Sequence, residues 1–248
     1  MNLFAYYGGM GWMYYWDPTY YLVLIGVIIT MIASAKVKST FNKYSRVRSF
    51  SGLTGAEAAQ RMLYQAGITD VTIRPVSGKL TDHYDPRSKT VNLSDEVYHS
   101  ASVAAVGVAC HECGHAIQHD RAYLPLQLRS MLVPVANFGS TLSWPMILLG
   151  ILFGGFSARS NIGYLLIQAG ILFFSFAVLF QIVTLPVEFN ASHRALQMIK
   201  TTGMLTEEES KYTRKVLTAA ALTYVAGAAS AILQLLRLIL LFGGRDRD

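Results

Sequence analysis

Four long apolar runs dominate the chain: Tyr20 to Ala35, Met131 to Phe156, Ile162 to Pro186 and Val216 to Phe242. The first three carry no charge, and the last carries one, Arg237, near its far end. A helix needs roughly 20 apolar residues to cross ~30 Å of hydrocarbon, so each run predicts a transmembrane span. The first is the shortest, and Pro18 and Thr19 extend it.

Between the first two spans the period changes twice. After a basic stretch (KVKSTFNKYSRVRSFSG), Ala58, Ala59, Met62, Leu63 and Ala66 form a helical stripe. Thr54 and Glu57 supply a capping box at its start, and Gly67 closes its end. Alternation then takes over: Val71 and Ile73 suggest one strand and Thr90 to Leu93 another, with turns at Ser77-Gly78 and Asp85-Pro86. Ser94 is read as a helix cap. From about Ser100 to His119 follows a helix of small and apolar residues, SASVAAVGVACHECGHAIQH. Such a helix should be buried. Yet His111, Glu112 and His115 stand in its middle, and a buried carboxylate needs a compensating partner.

Composition supports the membrane reading. Hydrophobic residues make up 52% of the 248, and only 15% are charged, against about 25% in soluble domains. The net charge of +6 does not require nucleic acid, because no basic-aromatic pattern suited to reading bases is present. Twelve of the 21 Lys and Arg lie between Lys36 and Arg129, and five more between Arg194 and Lys215. Four spans put those two segments on one side, and the positive-inside rule makes that side cytoplasmic, with both termini outside. Arg159, Arg245 and Arg247 are the only cations on the other flanks. Met1 to Trp16 lacks Lys and Arg, so the first span does not read as a cleaved signal. Its aromatics suit a membrane interface or an apolar tail.

His111 and His115, four apart, share one helix face. Two neutral imidazoles at that spacing can bind one zinc ion. Glu112 is placed to take a proton from a water that the metal makes acidic. The bland alternative is a satisfied pair of core histidines. A third protein ligand is needed, and Cys110, Cys113, His119, His83, Asp120 and Glu188 are the candidates. The two cysteines point elsewhere around the helix and read as packing residues. A redox pair would instead sit at a helix start after a strand. His119 suits the helix end. Glu188 is the stronger candidate: it opens EFNASHRALQMI, the segment leaving the third span on the same side. Without the histidine motif, that segment would read as a juxtamembrane helix with solvated charges. Ser192 shares its helical face and could bond a ligand, and Arg194 could pair with a carboxylate or bind substrate. For the oxyanion of a hydrolytic step, His83, Tyr84, His193 and Arg194 are unranked candidates, and Asn92 is a further substrate-binding candidate.

The segments DHYDPRSKTVNLS, ACHECGHAIQH and LPVEFNASHRAL, in that order among the spans, resemble the YugP-like neutral zinc metallopeptidases of bacterial membranes. The resemblance covers nearly the whole chain. These proteins are in turn similar to HtpX-type membrane proteases, which are gluzincins. The resemblance implies one Zn2+ per chain held by His111, His115 and Glu188, with Glu112 as general base. HtpX-type enzymes carry an aspartate four after the glutamate ligand, where this chain has Ser192. An edge strand around Thr90 to Leu93 would bind an extended peptide by strand addition. The expected architecture is mainly α: an integral membrane protein with about four spans and a small zincin-like α+β cytoplasmic catalytic region.

The expected divisions are an N-terminal segment and first span (1–36), the zincin-like region (37–130), a membrane hairpin (131–186), a cytoplasmic helix with the third ligand (187–215), and the last span and tail (216–248). The expected activity is zinc endopeptidase action in the bacterial inner membrane, on the cytoplasmic side, in membrane-protein quality control or processing. Expected partners are the bilayer and a peptide or protein substrate, above all a membrane protein, with room for a regulatory membrane partner. A zinc-binding scaffold or sensor without turnover is the alternative, though it has no use for Glu112 as a base. Metal transport ranks last, because only Arg237 approaches an ionisable residue inside a span.

Overall fold

The computed structural model describes residues 17–154 and 161–243. The aromatic stretch before Asp17, Arg159, Arg245 and Arg247 lie outside these residues. Four helices are long and apolar enough to cross a membrane: α1 (Tyr20–Tyr44), α5 (Leu124–Leu152), α6 (Asn161–Thr201) and α7 (Glu207–Phe242). Their most apolar windows are mostly uncovered by protein, with only 11% of residues buried in α1 and 17% in α7. Large apolar side chains so exposed need a hydrocarbon solvent.

The helices reach well beyond the apolar runs. α5 starts seven residues before Met131, α6 continues through Pro186 to Thr201, and α7 starts at Glu207 rather than Val216. Thr206 explains the last of these starts. Its side chain accepts from the Glu209 N–H while Glu209 bonds back to the Thr206 N–H, a second capping box. α1 packs against α7, and α5 against α6. Small residues let these helices approach: a Cβ on Gly26 would lie 2.7 Å from Ser230 Oγ, and one on Gly139 2.5 Å from the Phe173 carbonyl oxygen.

The remaining elements gather at one end of the four long helices. α2 (Gly55–Gln65) has the expected capping box, with Thr54 and Glu57 satisfying each other's N–H groups. Gly67 ends it at φ +77°, with Gly67 N–H donating to the Tyr64 carbonyl and Ile68 N–H to the Leu63 carbonyl. The strands are β1 (Thr72–Val76), β2 (His83–Asp85) and β3 (Thr90–Ser94). They form one sheet in the order β1-β3-β2, with β1 and β3 parallel and β2 and β3 antiparallel. This corrects the reading of Thr90 to Leu93 as an edge strand. β3 is central, its Val91 and Leu93 fully buried, and the edges belong to β1 and β2. Ser94 holds the helix N-cap position expected of it, before α3 (Asp95–Tyr98), without a side-chain cap bond. Its hydroxyl donates instead to the Asp82 carboxylate at 3.1 Å.

α4 (Val103–Asp120) is the hub, packed by α2, α6 and α7. Its cap is Ser102, whose hydroxyl accepts from the Ala105 N–H at 3.2 Å. The alanines of α4 join Met62, Leu63, Leu93, Ile199 and Leu217 in one core. Two glycines set how closely its neighbours approach. A Cβ on Gly107 would lie 2.5 Å from Thr213 Cγ2 of α7, and one on Gly114 2.6 Å from the Ala191 carbonyl oxygen of α6. α4 is thus held in contact with two membrane-length helices on the turns that carry His111 and His115.

Candidate metal centre

Helical periodicity stacks His111 and His115 on one face of α4, with their rings edge to face and 4.8 Å between centroids. Gly114 brings α6 against that face, and Glu188 of α6 enters between the imidazoles. Its Oε2 lies 3.3 Å from His111 Nε2 and 3.6 Å from His115 Nε2. One donor atom from each of the three residues lies within 4.8 Å of the others. Glu188 is only 2% exposed and His115 9%.

Hydrogen bonds on the far side of each imidazole fix its orientation. Gln118, fully buried one turn beyond His115, places its Oε1 3.1 Å from His115 Nδ1. The same amide donates through Nε2 to the Val187 carbonyl at 2.8 Å and to Asn190 Oδ1 at 3.0 Å. Because its NH2 is committed to those acceptors, Gln118 accepts from His115, which puts the His115 proton on Nδ1 and frees Nε2. Ser192 Oγ lies 3.1 Å from His111 Nδ1 and can accept from it in the same way. Burial opposes charge on His115, but the Glu188 hydrogen bond and the Glu112 and Glu188 charges outweigh it, so its pKa lies above the ordinary histidine value. Glu188 also faces Arg129 of α5, with Nη1 3.6 Å from Oε1, and it interacts with Tyr224 of α7.

Glu112 is 8% exposed, beside the first histidine. Among the described residues its carboxylate makes no hydrogen bond or ion pair. The cysteines lie away from this cluster. Burial pushes the Cys110 thiol up to about 12, and the Cys113 thiol, also raised well up by burial, donates to the Ala59 carbonyl of α2 at 3.6 Å. Neutral thiols packed in a core are poor ligands and poor nucleophiles.

Of the other residues singled out in the sequence, Ser192 joins the centre directly. Arg194 makes no ion pair among the described residues; its Nε donates to Asn190 Oδ1 at 2.7 Å and its guanidinium lies over the Tyr123 ring. It therefore stands behind His115, through Asn190 and Gln118. His83 is not brought to the centre: it faces Asn92 across β2 and β3, with Nε2 3.2 Å from Asn92 Nδ2. Tyr84 turns to His119, its hydroxyl 2.9 Å from Nδ1. Burial, then the charges of Asp70, Asp85 and Asp120, push the Tyr84 phenol up to about 12. His193 is exposed. Gln118, Arg129, Asn190 and Tyr224 were not legible as site residues. The one available signal was Gln118, an amide three residues after the second histidine in an otherwise apolar helix.

Two imidazoles and a carboxylate, buried and convergent, suit zinc and match the three protein ligands of an open catalytic site. Fold and site together define a membrane protein with a candidate His-His-Glu metal centre at one end of its long helices. The chain belongs to the family described as "Putative neutral zinc metallopeptidase", which matches residues 19–243. It is 46% identical over 229 residues to the "Putative membrane protease YugP" of Bacillus subtilis (strain 168), an alignment spanning 92% of this chain and 98% of that protein. No solved structure matches it.

Proposed function

We propose that this protein is an integral-membrane zinc endopeptidase of the gluzincin type, with its centre on the cytoplasmic side of the bacterial inner membrane. The observation that carries the reading is the position of Glu188 Oε2 between the two imidazole Nε2 atoms, beside a buried Glu112 that makes no hydrogen bond among the described residues. His111, His115 and Glu188 would hold the metal, which supplies Lewis-acid polarisation of the scissile carbonyl and a lowered pKa for a water.

The chain's own groups do the rest. Gln118 and Ser192 keep both Nε2 lone pairs aimed inward. Glu112 takes the proton of the attacking water and delivers it to the leaving amide nitrogen. Arg129 and Tyr224, which border Glu188, are the nearest candidates for countering negative charge on the carbonyl oxygen. His83, Tyr84, His193 and Arg194 are engaged or positioned elsewhere. The open edge of β2, the strand whose Tyr84 reaches α4, offers an extended peptide its backbone groups. A site at the end of membrane-length helices suits chains tethered in the same bilayer, hence a role in membrane-protein quality control or processing.

The test is Glu112→Gln, assayed for bound zinc and for cleavage of a denatured membrane-protein substrate. We expect zinc to be retained and cleavage to fall by about 10²–10⁴-fold. Cleavage at the wild-type rate would sink the general-base role. Zinc without cleavage by either protein would favour the scaffold or sensor.

A further inference from the structure

On the face of α1 and α7 near the metal-centre end lies a cleft of about 510 Å3. Four cations line it: Lys36 and Lys43 from α1, Arg214 and Lys215 from α7. All four are exposed, and none forms an ion pair among the described residues. Ser39 and Thr218 add hydroxyl donors, and no carboxylate lines the cleft. Of the three acidic groups in the first turn of α7, Glu208 accepts from the Tyr212 hydroxyl and Glu209 from the Thr206 and Phe50 N–H groups, and Glu207 stands outside the cleft lining. Tyr44, which lines the cleft, stacks on Tyr212 at 5.1 Å, with Lys43 over the Tyr44 ring and Lys215 over the Tyr212 ring.

The level of the cleft decides what fills it. On α1 the apolar run ends at Ala35 and the first cation is Lys36; on α7 Lys215 is the last cation before the apolar run that begins at Val216, whose one charge, Arg237, lies near the far end. Both helices therefore pass from hydrocarbon to headgroup chemistry at the cleft. Continued one or two turns into the apolar runs, the same helical stripes carry Ile32 (62% exposed) and Ile29 on α1 and Leu222 on α7. A free phosphate would use the cations alone. A phospholipid would use the cations and lay its acyl chains on this stripe.

We propose that the α1/α7 cleft is a binding site for an anionic phospholipid, with the headgroup phosphate held by Lys36, Lys43, Arg214 and Lys215. Each cation near an anionic headgroup is worth about fivefold in binding, so losing three should cost on the order of a hundredfold. Thr213, on the turn of α7 beside Arg214, donates to the Val103 carbonyl at 3.0 Å. The lipid would thus bind next to the contact that anchors the start of the metal-site helix.

The test is native mass spectrometry of the delipidated full-length protein, titrated with dioleoylphosphatidylglycerol, dioleoylphosphatidylcholine or inorganic phosphate. We expect saturable binding of phosphatidylglycerol, at least tenfold tighter than phosphatidylcholine. The triple variant K43Q/R214Q/K215Q should lose it by on the order of a hundredfold, while Arg214→Lys and the remote control R74Q/R87Q keep it. Equal binding of the two lipids, or wild-type binding by the triple variant, would overturn the proposal. Displacement of phosphatidylglycerol by equimolar inorganic phosphate would overturn it in favour of a soluble-anion site.

Discussion

Gln118 is the residue on which the geometry of the metal centre turns most. One buried amide fixes the His115 tautomer and ties α4 to the backbone of α6 at Val187, the residue before Glu188. Groups that orient a metal-ligating imidazole are commonly worth 10–100-fold in metal affinity. Gln118→Leu, close in volume but without the amide, should weaken zinc binding by about that factor in a competitive chelator titration. An unchanged affinity would mean that packing alone orients His115. The histidine pair and Glu112 were legible because four-residue spacing and a buried carboxylate leave few other readings. Gln118 and Arg129 were not. A glutamine near a helix end reads as solvated, and an arginine at the start of a span reads as a headgroup anchor. Only the approach of α6 turns both toward Glu188.

At the scale of elements, the approach of α4 and α6 is set by Gly114. A Cβ there would collide with the backbone of Ala191, which cannot rotate away as a side chain could. Gly→Ala in a helix interior gains at most about 1 kcal/mol in propensity. Overpacking costs about 1–3 kcal/mol and occasionally more, so the clash should win. Gly114→Ala is therefore expected to lower the thermal unfolding midpoint and the zinc content together. Gly227→Ala, whose nearest contact would be at 3.8 Å, should lower neither. If Gly114→Ala keeps full zinc content, the close helix contact is not what positions Glu188. Alternation identified β1 and β3 but not their order: the parallel pairing of β1 with β3 leaves room for β2 on the far side, and a three-residue strand carries too little pattern to read. Helix ends were underestimated for a different reason. Hydropathy marks where a helix is apolar, whereas the Thr206 capping box marks where it starts.

At the scale of the molecule, four membrane-length helices return the chain to one side twice, which brings residues 111 and 188 together across the α5–α6 hairpin. The four membrane-length helices were legible because runs so long and so apolar suit hydrocarbon. Their orientation is argued from charge, with 12 cations between Lys36 and Arg129 and five between Arg194 and Lys215. An enzymatic reporter fused after Asp248 should therefore be active only outside the cytoplasm; a cytoplasmic signal would reverse the orientation or break the four-span count. The metal centre itself is tested most directly by X-ray absorption at the zinc edge of the loaded protein. Ligation by His111, His115 and Glu188 predicts a shell of nitrogen and oxygen alone at ~2.0–2.2 Å. A sulfur scatterer at ~2.3 Å would contradict it and return the site to Cys110 or Cys113.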